Sequence, residues 1–124
     1  MGNLQIEVVE WPEALIVHVR GEAALGEVTA LERGLMTVTV RRPALAVLEL
    51  SGLSFISSLG MGAMVAFAKG IELAGGHVVT AGAKKPVRES MQRARLDIMM
   101  PLFETVEEAV VGAAATSPQQ RQVG

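Results

Sequence analysis

After Pro43 the chain reads Ala44-Leu45-Ala46-Val47-Leu48-Glu49-Leu50, a run apolar at every position but Glu49. A strand apolar on both faces is covered on both, which is the situation inside a parallel sheet packed between helices. The residues that follow keep to that plan. Helical spacing over about 59–74 is stopped by Gly75-Gly76, His77 to Ala81 is a short apolar strand, and Pro86 opens a helix that runs to about Arg95. Ile98 to Phe103 is predicted as a last strand and Thr105 to Ala114 as a last helix. Strands that alternate with helices lie parallel through right-handed crossovers, and their carboxyl ends form the working surface. The loop after Leu50 runs from such an end into a helix.

The amino-terminal part reads differently. Residues 4–9 and 14–19 are rich in β-branched and apolar types, with Trp11-Pro12-Glu13 between them, so two strands joined by a tight connection are predicted. Gly21-Glu22 interrupts, after which Leu25, Val28, Leu31 and Leu35 fall at helical spacing through 24–37, against the strand preference of Thr37-Val38-Thr39-Val40. One domain over 1–114, an α/β fold with a small, mostly parallel mixed sheet and about four helices, accounts for the pattern. The polar tail 115–124 is expected to be disordered.

Composition narrows the function. The 124 residues are 50% hydrophobic, but the only aromatics are Trp11, Phe55, Phe67 and Phe103, which leaves few rings to stack on bases. A net charge of −2 with scattered basic residues argues against nucleic acid as the partner. Cysteine is absent, so neither disulfides nor thiolate metal sites are available. The first residues lack the charged start and apolar centre of a signal peptide, and the longest uncharged apolar run, Leu59 to Ala68, is about half a membrane span. A cytoplasmic protein with no direct membrane insertion is the expectation.

Enzyme signatures are missing. No phosphate-binding loop, dinucleotide fingerprint or nucleophile elbow occurs, and Gly60-Met61-Gly62 is a lone pair of glycines that close helix packing explains. His18 and His77 lie in predicted strands without a second ligand at zinc spacing, so they read as structural and no metal or other cofactor is expected. Lys84-Lys85-Pro86-Val87-Arg88 reads as solvated charge on a loop and a first helical turn; an anion-binding edge is the sharper alternative. Ser57-Ser58 in the stretch FISSLGMG stand at a helix start, where serine is a preferred N-cap. The same place suits a phosphoserine, whose charge would meet unpaired amides and the positive end of the helix dipole.

The run Leu48 to Ala63, LELSGLSFISSLGMGA, resembles the signature of the STAS domains, the anti-sigma factor antagonists, whose usual form is a strand, then F-(I/M)-D-S-S-G-L-G, then a helix. Val19-Arg20-Gly21-Glu22 is similar to the family's GEL, Gly75-Gly76-His77-Val78-Val79 to its helix-to-strand turn, and Val87 through Val106-Glu107-Glu108-Ala109 to its carboxyl-terminal third. The resemblance implies a non-enzymatic binding module. Its partner is an anti-sigma factor that is also a serine kinase, and a PP2C-type phosphatase resets the cycle. It also implies a phospho-acceptor at Ser58 and a partner surface that includes Glu22, Ser57, Ser58, Leu59, Gly60, Met61 and Gly62. Three positions depart from the pattern: Ser57 stands for the aspartate before the acceptor, Leu59 for its second serine, and Ala24 for the acid that often follows GEL. The alternative implied by the same family is a constitutive, unphosphorylated STAS subunit of a transporter or signalling assembly.

Overall fold

A computed structural model describes residues 3–115. Strand β1 (Leu4–Glu10) pairs antiparallel with β2 (Leu15–Ala23), followed by a 3-10 turn (Leu25–Glu27) and helix α1 (Val28–Thr39). Then come β3 (Leu45–Glu49), β4 (Leu53–Ile56), α2 (Ser58–Leu73), β5 (His77–Ala81), α3 (Lys85–Arg93), the single turn α4 (Leu96–Met99), β6 (Leu102–Phe103) and α5 (Val106–Ala115). The six strands form one mixed sheet in the order β1-β2-β3-β5-β6, parallel from β2 onward, with β4 also paired to β2. The expected α/β architecture is observed, with five α-helices among the described residues.

The run that suggested a doubly covered strand is β3, and it is covered on both faces. Ala46 and Leu48 point into a core built with Leu31, Leu35 and Val38 of α1, Met64, Phe67 and Ile71 of α2, Val87 and Met91 of α3 and Leu96. Val47 points the other way, with Ile16, Val79 and Ala81, onto Ala109 and Ala113 of α5. Among the described residues, four helices thus share one face and α5 alone takes the other. Helix α2 ends in a Schellman motif, the Gly76 amide bonding to Ile71 O and the Gly75 amide to Glu72 O, as Gly75-Gly76 suggested.

The structure corrects the sequence reading at four places. The strand predicted over Ile98 to Phe103 is a helical turn followed by two strand residues. Arg95, with φ 62°, breaks α3 in the left-handed region, and the chain re-enters helix so that Leu96 and Met100 are buried while Ile98 is exposed. The helix predicted over 24–37 begins as a 3-10 turn and reaches Thr39. Thr37 and Thr39 are held in it by hydroxyls that donate to Gly34 O and Leu35 O, and Val38 is buried. Gly21-Glu22 does not end β2: the strand continues to Ala23 across an irregularity at Gly21, whose φ of 101° and closeness to Asn3 O leave no room for a Cβ. Finally, β4 lies where a loop was read. It continues the place of β3 beside β2 after the turn at Leu50–Gly52, and the Gly21 amide bonds to Gly52 O at 2.8 Å. Helix α5 includes Ala115, one residue into the expected tail; the remainder, 116–124, lies outside the described residues.

Candidate functional site at the entry to α2

Strand β4 delivers the chain to α2 beside the end of β2. Ile56 pairs with Ala23, the Ser57 amide donates to Ala23 O at 2.9 Å, and Glu22 stands exposed opposite Phe55. Gly60 is buried against the same strand end. A Cβ on it would lie 3.1 Å from Ile56 Cγ1 and 3.2 Å from Ala23 O, so the glycine permits the helix to approach. Gly62, by contrast, faces open space, and close packing explains only the first of the two glycines.

The two serines are distinguished by their partners. Ser57 has extended backbone and is the N-cap; its Oγ accepts from the Gly60 amide at 3.0 Å. Ser58 is the first helical residue and is exposed, with no hydrogen bond from its hydroxyl to another described residue. The first intrahelical bond runs from the Met61 amide to Ser57 O, so the amides of Ser58 and Leu59 precede the ladder and remain at the positive end of the helix. The arrangement has an N-cap hydroxyl already engaged and, beside it, one available for modification.

Large apolar side chains are exposed on the elements near Ser58. Leu59 is 59% exposed and Phe55 50%, and Leu25, on the 3-10 turn that touches α2, is 67% exposed. Leu25 was read as part of the α1 stripe. The 3-10 turn advances about 120° per residue where an α-helix advances about 100°, so the stripe begins only at Leu31 and Leu25 is left outside it. Met61 is half-buried against the main core.

A groove of about 550 Å³ runs between this helix entry and α3. Ser57, Ser58 and Met61 line one wall and Ser90, Arg93 and Ala94 the other. Arg93 and Ser90 were not singled out by the sequence; their i, i+3 spacing puts them on one face, but which neighbour that face meets follows from the packing of α3 beside β4. His18 Nδ1 lies 3.2 Å from Glu49 Oε1, across β2 and β3. Lys84, Lys85 and Arg88 lie at the N-cap and in the first half of α3 and do not line this groove; Arg88 Nη1 donates to Ala83 O.

A family profile described as STAS domain matches residues 5–109. Among solved structures the chain is similar to an anti-sigma factor antagonist from Mycobacterium paratuberculosis, at 24% identity over 90% of this chain and 94% of that one, with a TM-score of 0.81. It is also similar to the anti-sigma factor antagonist SpoIIAA in its unphosphorylated form, at 21% identity over 90% and 96% with a TM-score of 0.72. A third likeness is to a sulfate transporter family protein from Wolinella succinogenes, at 19% identity over 86% and 89% with a TM-score of 0.70. These three likenesses concern the fold.

Proposed function

The chain belongs to the STAS domain family, and from that membership we propose that it is a regulatory docking module of the anti-sigma-factor-antagonist type, switched at Ser58. The observation that carries the proposal is an exposed, unengaged Ser58 hydroxyl at the first turn of α2, between the exposed side chains of Phe55 and Leu59 and near the 3-10 turn that bears the exposed Leu25. Exposed apolar side chains of this size gathered at one place fit a protein partner better than solvent. The partner proposed is an anti-sigma factor with serine kinase activity, and a PP2C-type phosphatase would reverse the modification.

In the forward step the kinase moves the γ-phosphoryl group of ATP to Ser58 Oγ. The bond from the γ-phosphorus to the ADP oxygen breaks, the Oγ–P bond forms, and the hydroxyl proton passes to a base of the kinase. The product carries a charge of about −1.5 to −2 beside free amides, which the helix entry tolerates. The same charge in the middle of an apolar interface would be desolvated without a partner, which disfavours docking. The module is therefore the substrate of the reaction and not its catalyst.

Incubation with that kinase and ATP, followed by intact-mass measurement, tests the assignment. A gain of one phosphate in the natural sequence and none in Ser58→Ala is expected; a gain that persists in Ser58→Ala, or no gain at all, overturns it. A second reading, a constitutive STAS subunit of a transporter or signalling assembly, is supported by the absence of the family's acids at Ser57 and Ala24 and by the likeness to the transporter-family protein. Under it Ser57 caps α2, Ser58 is unmodified, and Ser58→Ala binds the assembly as the natural sequence does.

A further inference from the structure

We propose that Arg93 is an internal receptor for the phosphate on Ser58, so that the modified side chain is held across the groove between α2 and α3. The proposal rests on Ser58 being the modified residue. Of the described side chains that line the groove, Arg93 is the only ionisable one, and it stands on the wall opposite Ser58. Among the described residues no carboxylate pairs with it; its guanidinium reaches only Ser90 Oγ, through Nη2 at 3.4 Å. A planar guanidinium offers two parallel N–H donors to a phosphate, and the Ser90 hydroxyl beside it supplies another. Family members place an aspartate before the acceptor; with Ser57 there instead, the acceptor side of the groove carries no acid to compete for Arg93. Modification would then both add charge to the docking face and draw Arg93 away from a partner.

The test uses the full chain with phosphoserine installed at position 58 during synthesis, which needs no kinase. Phosphorus NMR then reads the second ionisation of the phosphate, near 6 for a free phosphoserine. Arg93→Gln, a change at an exposed position, is expected to raise that value by about half a unit relative to the unsubstituted phosphoprotein, the scale of an exposed ion pair. Arg88→Gln, on α3 but outside the groove, is expected to leave it unchanged. An identical value with and without Arg93, or an equal rise in Arg88→Gln, would overturn the proposal. Failure of the kinase to modify Ser58 would sink the functional reading while leaving this titration interpretable.

Discussion

Replacing Ser57 by alanine removes the acceptor for the Gly60 amide and leaves the first turn of α2 uncapped. The expected loss is about 0.5–2 kcal/mol in equilibrium urea unfolding. Ser58→Ala, one residue later, should leave stability within about 0.5 kcal/mol, because the exposed hydroxyl makes no hydrogen bond to another described residue. The two glycines should part in the same way. Gly62→Ala adds a methyl to open space and should stabilise by about 0.5–1 kcal/mol, the ordinary gain of a helix interior. Gly60→Ala meets the backbone oxygen of Ala23, which cannot rotate aside, so α2 must lift; overpacking of about 1–3 kcal/mol should exceed the helical gain. Midpoint shifts of the same sign for the two alanines would contradict the packing described here.

At the scale of elements, the parallel core was legible because burial on both faces leaves a continuous signal: β3 and β5 stand almost where the apolar runs put them. The glycine pair after α2 and the cap before it were equally readable, since each is a local bonding arrangement. What escaped depends on long-range contacts. Strand β4 is four residues long, and Ser54 and Phe55 at its centre are exposed, so it has no pattern of its own; it is a strand because β2 continues beside it. The segment 98–103 misled because alternation and a short helical turn look alike in an apolar run, and the deciding residue, Arg95, takes a backbone conformation its side chain does not announce. A strand would place residues 96, 98 and 100 on one face. The helical turn instead predicts that Ile98→Lys changes stability by less than about 0.5 kcal/mol, whereas Met100→Ala costs about 2–5 kcal/mol. Comparable costs at both positions in chemical denaturation would favour the strand. The candidate site was legible to the same degree: the serines could be found from the motif, while Leu25 and Arg93 came to it only through the turn of the chain and the packing of α3.

For the whole molecule, the sheet presents α1 to α4 on one face and α5 on the other, and the entry to α2 sits at the carboxyl end of β4 with its apolar rim uncovered. None of the described helices is long and apolar enough to cross a membrane. Because Leu25 and Leu59 lie outside the core, Leu25→Asp and Leu59→Asp should fold as the natural sequence does, with unchanged circular dichroism, yet each should weaken partner binding by tenfold or more, about 1.4 kcal/mol. The central claim, that Ser58 switches a docking face, is tested most directly by calorimetric titration of the proposed anti-sigma kinase with the unmodified chain and with the chain carrying phosphoserine at position 58. The phosphorylated form should bind at least about 30-fold more weakly, the roughly 2 kcal/mol of a hot-spot disruption; equal affinity of the two forms would contradict it.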